Sequence, residues 1–362
     1  MTKKHVLFLG FGLDMKRREA VSVNTLKMMD ITKELGLKTS IISIGYDGGG
    51  YGSSMIDSII HRSQIIEKIE SYIVENNVTH LVDVFVLPLS SHIFVVPLQK
   101  SLKNIVYLKE IHNDFGHSKY LTYETIIRAI ANRKSQLLSL MATYDSCYTR
   151  NPSLAKIYKI IYLPTNIDIN DLTRSKSSKI RISYLGHPLK KKGIFIFPEI
   201  FAALTPSQKQ RYQFSFALSD IGPRDKISKF LETSAQKLGV TIEIVGKVVP
   251  SEFFRNQDIY VLPIQDVYGA VSTPNTILEA MEGQCVVIAS NISSLVGILD
   301  HNKNSLLVKN PDGTSLIKAI NSLEDGKLRK KLANQARKDI INNYTKRSVI
   351  IALERIYGIK NN

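Results

Sequence analysis

The residues best suited to chemistry lie at the start of one predicted helix, within the stretch Ser272–Ser290. Pro274 has the fixed φ that suits a first helical position, and a helix end there exposes unsatisfied N–H groups and the positive end of the dipole. We expect this end to bind a diphosphate through Thr273, Asn275 and Thr276. Glu279, about one turn further on, could accept hydrogen bonds from a ribose diol, or it could be an ordinary solvated glutamate.

A second cluster follows the predicted strand 180–185. Gly186 and His187 come directly after the strand, and the run Lys190–Lys192 follows, closed by a glycine. A flexible ammonium group is a good point charge for phosphate, so Lys192, next to that glycine, is the strongest cationic candidate. Adjacent lysines are also common on solvated surfaces, but the strand and the glycines around them favour a binding role.

Two further candidates lie in the first half of the chain. Gly12 closes a Gly-Phe-Gly turn after the predicted strand His5–Gly10, where glycines allow a tight turn and leave room for a ligand. The third glycine of a dinucleotide fingerprint is missing. His112 lies in a polar segment after the predicted strand Asn104–Lys109, at the edge where parallel sheets bind ligands. It could contact a ligand there or only hydrogen-bond the backbone.

Strands and helices alternate along the whole chain, which predicts an α/β protein with parallel sheets. At 362 residues, two domains are the natural expectation. We place the first domain at 1–168, a polar linker at 169–179, the second domain at 180–345 and a closing helix at 346–362. The helices predicted with clear bounds are Val23–Leu35, Ile59–Asn76, Thr122–Met141, Ile227–Leu238, Ser251–Asn256 and Arg347–Tyr357.

The composition is that of a globular protein, with 44% hydrophobic and 22% charged residues. Two cysteines form no disulfide framework and fit a reducing cytoplasm. The first apolar run is too short for a signal peptide, and the apolar segment 80–98 is broken by polar residues and prolines, so we expect no membrane span. The net charge of +16 suits anionic lipid headgroups, phosphate-bearing substrates or simple solubility. Nucleic acid is disfavoured, because no aromatic residues alternate with basic ones.

Within the stretch 272–290, the run from Thr273 reads T-P-N-x-x-L-E-A-M-x-G-x-x-x-V-I-A-S and resembles the donor-binding segment of retaining GT-B glycosyltransferases of the family-four type, glycosyl transferases group 1. The resemblance is strong across about 160–355 and diffuse before that. It implies two Rossmann-like domains that face each other across a cleft, with a C-terminal helix that crosses back to the first domain. It departs from the usual pattern at Val271, where the family has a glutamate that contacts the donor sugar.

The resemblance assigns a role to each candidate residue. Glu279 would hold the nucleotide ribose, and Lys192 would clamp the donor diphosphate beside His187, which stands where the family has arginine. Val248 would lie where the backbone reads the nucleobase. His112 would approach the donor sugar and the acceptor. The remaining members of the implied binding set are Gly12, Gly186, Thr273, Asn275 and Thr276.

The implied function is transfer of a sugar from a UDP- or GDP-type donor to a glycan, a lipid-linked acceptor or another small acceptor, in the synthesis of surface polysaccharides. The resemblance implies retention at the anomeric carbon. We expect no cofactor and no metal, a cytoplasmic location, and contact with an anionic membrane surface as an open question. The departures at Val271 and His187 leave open a catalytically degenerate protein that binds nucleotide sugars or a partner. An epimerase acting on a UDP-sugar and a nucleic-acid glucosyltransferase or nucleic-acid binder are weaker alternatives.

Overall fold

The computed structural model describes residues 4–11, 13, 20–44, 62–84, 88–110, 141–142, 144–150, 152, 155–156, 159, 161–170, 177–220, 222–265, 274–292 and 295–359. These residues divide into two compact units. The first unit contains the described residues up to 166 together with 346–359, and the second contains those between 167 and 345. The architecture is α/β, as the alternation of strands and helices predicts.

The first unit is built on a parallel sheet of six described strands, in the order β2-β1-β3-β4-β5-β6. Their bounds are β1 His5–Phe11, β2 Lys38–Ile44, β3 His80–Asp83, β4 Val106–Glu110, β5 Ser146–Thr149 and β6 Ile161–Tyr162. Every pairing is parallel. All carboxyl ends therefore lie along one edge of the sheet, which is the edge where the sequence analysis placed Gly12 and His112.

Helices cover both faces of this sheet, because successive side chains on a strand point to opposite faces. Among the residues described before β4, three helices are found: α1 Ala20–Glu34, α2 Arg62–Glu75 and α3 Pro88–Ser101. On β1, Leu7 and Leu9 belong to the core cluster that contains Ile69 of α2, whereas Val6 and Phe8 belong to the cluster on the other face. The residues 88–101 were predicted only as a broken apolar segment. They form a helix because Pro88 stands at its start, where no N–H is needed, although Pro97 lies inside it.

A buried ion pair joins two central strands at the carboxyl edge of this first sheet. Lys109 Nζ lies 2.8 Å from Asp83 Oδ1, and both side chains are almost fully buried. The hydroxyl of Tyr144 donates to the other carboxylate oxygen of Asp83 at 2.5 Å. Breaking such a pair strongly destabilises a protein, since it leaves an uncompensated buried charge.

The last helix of the described chain, Lys346–Ile356, packs on the first unit. Val349, Ala352 and Leu353 lie in the same core cluster as Phe8 and Met28. The Tyr357 hydroxyl, just beyond the helix, lies 3.2 Å from Thr32 Oγ1 of α1. The predicted return of the closing helix to the first domain is therefore confirmed, one residue earlier than the predicted start.

The second unit contains a second parallel sheet of six described strands, in the order β12-β11-β10-β7-β8-β9. Their bounds are β7 Ile180–Gly186, β8 Tyr212–Leu218, β9 Ile242–Val245, β10 Ile259–Leu262, β11 Val286–Ser290 and β12 Ser305–Val308. β10 and β11 are buried along their whole length, as expected of strands in a parallel sheet between layers of helices.

Nine further helices or helical turns of known bounds belong to the described residues of this unit. They are the 3₁₀ turn Lys190–Lys192, the 3₁₀ turn Ile194–Ile196, α4 Phe197–Ala202, α5 Pro206–Arg211, α6 Arg224–Leu238, α7 Pro250–Arg255, α8 Asn275–Glu282, α9 Gly313–Ser322 and α10 Gly326–Asn343, of which the two turns are contiguous through Gly193. One core contains an aromatic group in which Phe197 lies edge-on to Phe216 at a centroid separation of 4.8 Å.

The helix α8 differs from the prediction at its start. Pro274 is the residue before the helix, with extended backbone, and Asn275 is the first helical residue. Gly283 ends the helix but has φ −71°, so the left-handed residue is Gln284 with φ 56°. Glycine is required at 283 for packing, because a Cβ there would lie 2.9 Å from Phe254 Cβ.

Buried polar contacts fix α8 at its C-terminal end. Glu282 is 1% exposed and its carboxylate oxygen lies 2.9 Å from the guanidinium of Arg337 on α10. The same carboxylate accepts a hydrogen bond from the backbone N–H of Asn170 at 2.9 Å, and Arg337 also donates to the Asn170 carbonyl at 2.7 Å. The charged pair therefore holds the helix against both the start of the unit and its last long helix.

No helix of the described residues is long and apolar enough to cross a membrane.

Candidate functional site

The sequence-predicted residues of the second unit follow strands that end along the same sheet edge. β7 lies at the centre of the sheet, with β8 and β9 on one side and β10 on the other. The chain therefore changes direction across the sheet between β7 and β10. In open α/β sheets such a topological switch point, at the carboxyl ends of the strands, is where ligands bind.

The turn after β7 is held against the end of β10. Gly193 closes the 3₁₀ turn Lys190–Lys192 with φ 79°, in the left-handed region. A Cβ at this position would lie only 2.0 Å from the carbonyl oxygen of Pro263, so no larger residue fits without a shift of the backbone. The N–H of Gln265 donates to the carbonyl of Lys191 at 2.8 Å. The lysine turn is thus fixed to the strand on the other side of the switch point.

Lys192 is half-buried in this turn, and its ammonium group is poorly hydrated. Burial, with a smaller contribution from the charge of Lys191, lowers the pKa of Lys192 from 10.5 to about 8. A nearby negative charge favours the protonated form of such an amine, because it compensates for the hydration that burial has removed. Lys192 is therefore a poorly hydrated cation at the carboxyl edge of the sheet.

His187 lies between β7 and β8 and is neutral at physiological pH. Its pKa is lowered by burial and then by the charges of Lys192 and Lys191. The ring Nδ1 lies 2.6 Å from Ser219 Oγ, in the segment that follows β8. The carbonyl of His187 accepts a hydrogen bond from the buried hydroxyl of Tyr184 at 2.7 Å. The imidazole is therefore a positioned polar group and not a second cation.

A buried tyrosine connects β7 to the start of α8. The hydroxyl of Tyr260 on β10 is 3.0 Å from the carbonyl oxygen of Leu185 and 2.9 Å from Thr276 Oγ1. Leu185 precedes Gly186, and Thr276 is in the first turn of α8. This hydroxyl therefore brings the first turn of the helix next to the strand end that begins the lysine turn.

Glu279 lies on the less buried side of α8. Ile277, Leu278 and Met281 face the core, whereas Glu279 is half-buried. Residues three and four apart on a helix are neighbours on its surface, so Glu279 shares a face with Thr276 and Asn275. Burial raises the pKa of the Tyr260 phenol, and the charge of Glu279 contributes to that rise. The carboxylate is thus close enough to the hydroxyl junction to affect it electrostatically.

Val248 lies further along the same edge. It is half-buried in the segment between β9 and α7. β9 is at the end of the sheet, separated from β7 by β8. The structure therefore places Val248 after the strand farthest from the Tyr260 junction on that side.

Three predicted site residues lie outside the described part of the chain: Gly12, His112 and Thr273. The position Val271, where the sequence departs from the family pattern, lies outside it as well. Among the described residues, no group of three or more His, Cys, Asp or Glu side chains could hold a metal ion.

The sequence analysis missed Tyr260 and Ser219. Tyr260 lies in the strand D-I-Y-V-L-P, where alternation alone does not distinguish a packed ring from a hydroxyl with a specific partner. Ser219 follows β8 directly, and the rule that ligands bind at the carboxyl ends of parallel strands could have identified it.

Comparison with known proteins agrees with this geometry. No curated protein matches the sequence significantly. Residues 168–339, which include α8 and the lysine turn, match the family described as Glycosyl transferases group 1.

Several solved structures have the same fold over nearly the whole chain. A glycosyltransferase from Rickettsia africae is 16% identical with a TM-score of 0.74, and the match covers 99% of this chain and 100% of that one. Anabaena Alr3699/HepE in complex with UDP-glucose is 14% identical with a TM-score of 0.72, covering 98% and 100%. Sucrose-phosphate synthase from Thermosynechococcus elongatus is 14% identical with a TM-score of 0.74, covering 98% of each chain. At these identities the similarity establishes the fold.

The predicted family and fold are both confirmed: the chain is a glycosyltransferase with the GT-B fold, and its residues 168–339 belong to the group 1 family.

Proposed function

We propose that this protein transfers a sugar from a UDP-type nucleotide sugar to a glycan, a lipid-linked acceptor or another small acceptor. The observation that carries the proposal is the junction at the switch point of the second sheet. There the half-buried Lys192 turn and the N-terminal turn of α8 follow two neighbouring strands, and the Tyr260 hydroxyl connects those strands' ends.

The diphosphate leaving group is proposed to be stabilised by a lysine and a helix end. Loss of a nucleoside diphosphate from the sugar develops negative charge on the β-phosphate, and preorganised donors in a poorly hydrated site stabilise that charge most effectively. Lys192 supplies a full positive charge. The N-terminal end of α8, with Thr273, Asn275 and Thr276, supplies the positive end of the helix dipole.

The nucleoside is proposed to bind along the same edge. Glu279 accepts hydrogen bonds from the ribose diol, which suits a half-buried carboxylate one turn into the helix that holds the phosphates. The backbone near Val248 contacts the base. Gly186 allows the diphosphate to approach the end of β7, and the neutral His187 donates a hydrogen bond to it in place of a second cation.

We propose that the reaction needs no metal and no resident cofactor, because Lys192 and the helix end already supply positive charge to the leaving group. Retention of anomeric configuration is proposed from the resemblance to retaining glycosyltransferases. In the first domain, Gly12 and His112 are proposed to act on the acceptor side and at the donor sugar. The proposed domain limits are 1–168, 169–179, 180–345 and 346–362.

A UDP-type donor is favoured by one relative. Anabaena Alr3699/HepE, 14% identical, was crystallised with UDP-glucose. We place the reaction in the synthesis of surface polysaccharides at the cytoplasmic face of a membrane. The net charge of +16 supports attraction to anionic lipids and to phosphate-bearing substrates. Nucleic acid is not proposed as a partner.

The test is release of nucleoside diphosphate from UDP-, GDP-, ADP- and dTDP-sugars by the purified protein, with EDTA present. We expect turnover with a UDP-sugar that is lost in Lys192→Ala and Glu279→Ala. Matched controls are Lys318→Ala and Glu232→Ala, two exposed residues of the same unit that lie on other helices. The anomeric configuration of the product, read by NMR, tests retention.

Two results would contradict parts of this proposal. Full turnover by both Lys192→Ala and Glu279→Ala would show that the donor site does not lie at this edge of the sheet. Binding of UDP without turnover of any nucleotide sugar would favour the second reading, a protein that binds nucleotide sugars without catalysis. That reading has specific support in Val271 and in His187, which stand where a glutamate and an arginine are expected.

A further inference from the structure

An exposed pair of aromatic rings lies on the surface of the second unit, near the lysine turn. Phe195 is 40% exposed and Phe230 is 39% exposed, and their ring centroids are 5.5 Å apart. The other large apolar side chains that the described chain exposes are aliphatic. Exposed apolar residues are ordinary when they are scattered singly, but two phenylalanines in contact form a continuous apolar patch.

The backbone fixes both rings toward the outside. In the 3₁₀ turn Ile194–Ile196, the two isoleucines are buried and Phe195 between them is exposed. On α6, Ile227 and Leu231 are buried, whereas Phe230 between them in sequence is 39% exposed. Both rings therefore remain exposed while their neighbours on the same elements are buried in the core.

The charges of α6 are segregated around Phe230. At 100° per residue, Lys237 and Lys226 lie about 20° and 40° from Phe230 around the helix, and Lys229 lies about 100° away. The carboxylates of Asp225 and Glu232 lie about 140° and 160° away by the same geometry. All five side chains are exposed. Lys226 and Lys237 therefore flank Phe230, whereas the two carboxylates lie further round the helix, beyond Lys229.

The three lysines are available to an external partner. In the part of the chain that the structure describes, none of them takes part in an ion pair. The arginine of the same helix, Arg224, is instead paired with Asp220 at 2.9 Å. We call Phe195, Phe230, Lys226, Lys229 and Lys237 the aromatic–lysine surface.

We propose that the aromatic–lysine surface docks on an anionic lipid membrane. Phenylalanines that enter the interfacial region, with lysines that reach the headgroups, are the features of a helix that lies on a membrane. Lysine without arginine suits a diffuse anionic surface, whereas bidentate recognition of single phosphates in nucleic acid favours arginine. This inference rests on the membrane association included in the proposed function and names the surface responsible.

The docking surface is close in sequence to the proposed donor site. Phe195 is three residues after Lys192 and is separated from it by Gly193, the residue packed against Pro263. A membrane contact at Phe195 would therefore hold the donor turn near the lipid–water interface, where a lipid-linked acceptor presents its head group.

The experiment is flotation of the full chain with two kinds of vesicle, phosphatidylcholine alone and phosphatidylcholine with about 30% phosphatidylglycerol, at low and high salt. Two variants test the two components of the surface: Phe195→Ser with Phe230→Ser, and Lys226→Glu with Lys229→Glu. The matched charge control is Lys330→Glu with Lys331→Glu, two exposed neighbours on α10. The matched apolar control is Ile341→Ser with Ile351→Ser, both 44% exposed.

We expect the wild type to float only with the anionic vesicles. On the order of fivefold affinity per lysine predicts that the lysine variant binds at least 25-fold more weakly. We expect the phenylalanine variant to bind roughly tenfold more weakly, since it loses the interfacial contact. Both controls should bind within about threefold of the wild type, because their residues lie on other helices and not on the aromatic–lysine surface.

Three results would overturn the inference: no flotation of the wild type, equal flotation of all variants, or loss of self-association in the phenylalanine variant without loss of vesicle binding. Preferential binding of single-stranded RNA over vesicles would also overturn it. UDP binding is measured in parallel on every variant. Failure of UDP binding in the wild type would contradict the proposed donor site, whereas intact UDP binding without flotation would contradict the docking surface alone.

Discussion

At the scale of single residues, the site depends on a cation that the fold keeps poorly hydrated. Lys192 has a pKa near 8 because it is half-buried beside Lys191. Its role could be predicted from the lysine–glycine pair after a strand, but its pKa could not, because desolvation depends on packing between distant segments. The lowered pKa of His187 could likewise not be predicted from the sequence, because it results from burial and from the charges of Lys192 and Lys191.

Replacing Lys192 by methionine should separate stability from binding. Its pKa falls from 10.5 to about 8 on folding, so the unfolded chain binds more protons between these values, and the stability of the wild type rises with pH across that window. The charged form therefore destabilises the free protein at pH 7. Discounted for partial exposure, the cost is about 1 to 2 kcal/mol.

We expect Lys192→Met to raise the free energy of unfolding at pH 7 by about that amount, to lose the rise with pH, and to lose UDP binding. Urea unfolding at pH 7 and pH 9.5, with UDP titrations on the same preparations, measures all three. Lys318→Met is the surface control. A variant that is less stable than the wild type at pH 7 would show that the ammonium group has a structural partner in the fold.

The affinity for UDP should fall as the pH rises above the pKa of Lys192. Between about pH 7.5 and 9.5 the phosphates of UDP are fully ionised, since their last pKa is near 6. The lysine, with its pKa of about 8, loses its proton over the same range. We expect the Kd to increase about tenfold per pH unit above pH 8 if only the protonated lysine binds.

Lys192→Arg provides the control, because a guanidinium stays protonated throughout this range. Its Kd should not rise between pH 7.5 and 9.5, whatever its value at pH 7.5. The Kd of both proteins is measured by calorimetry across this pH range. The same dependence of Kd on pH in the wild type and in the arginine variant would show that Lys192 is not the titrating group.

At the scale of elements, alternation and turn residues predicted most strands of both sheets. β1 and β7 each extend one residue beyond the predicted strands His5–Gly10 and 180–185, and β4 begins two residues after the predicted start at Asn104. The start of α8 was predicted one residue early because Pro274 fits both the first helical position and the residue before it. The sequence analysis did not predict α3, because Pro88 and Pro97 interrupt the apolar segment 80–98. The contact of Gly193 with Pro263 joins segments 70 residues apart and has no local signal.

Gly193→Ala should disrupt the site through the backbone. The added Cβ would meet the Pro263 carbonyl oxygen at 2.0 Å, and φ 79° is unfavourable for any residue with a Cβ. We expect a loss of roughly 3 kcal/mol or more in stability, or a displaced lysine turn with UDP affinity reduced at least tenfold.

Gly239→Ala is the matched control, because Gly239 has φ 65° but no atom within 4 Å of an added Cβ. It should lose only about 1 kcal/mol and keep full UDP affinity. Urea unfolding and calorimetry on both variants make the comparison. Equal effects at the two positions would show that backbone conformation matters and that the contact with Pro263 does not.

At the scale of the whole molecule, the described chain forms two units, and each is built on a parallel sheet. The described part of the proposed donor site lies in the second unit, within the residues that match the group 1 family. The architecture was predictable because both halves repeat the same alternation of strands and helices. The excess of positive charge was evident from composition, but the contact between Phe195 and Phe230 appears only when helix α6 and the 3₁₀ turn are placed together. The choice of donor sugar and of acceptor depends on residues other than those of the described donor site.

The most direct test of the account is calorimetric titration of UDP, in EDTA, into the wild type, Glu279→Gln and Lys192→Ala, with Glu232→Gln and Lys318→Ala as controls. We expect the wild type and both controls to bind UDP with the same affinity. Glu279→Gln should bind at least tenfold more weakly, because the amide is a poorer acceptor for the ribose hydroxyls. Lys192→Ala should show no measurable binding. Unchanged affinity in Glu279→Gln and Lys192→Ala would contradict the assignment of the donor site to the edge of the second sheet.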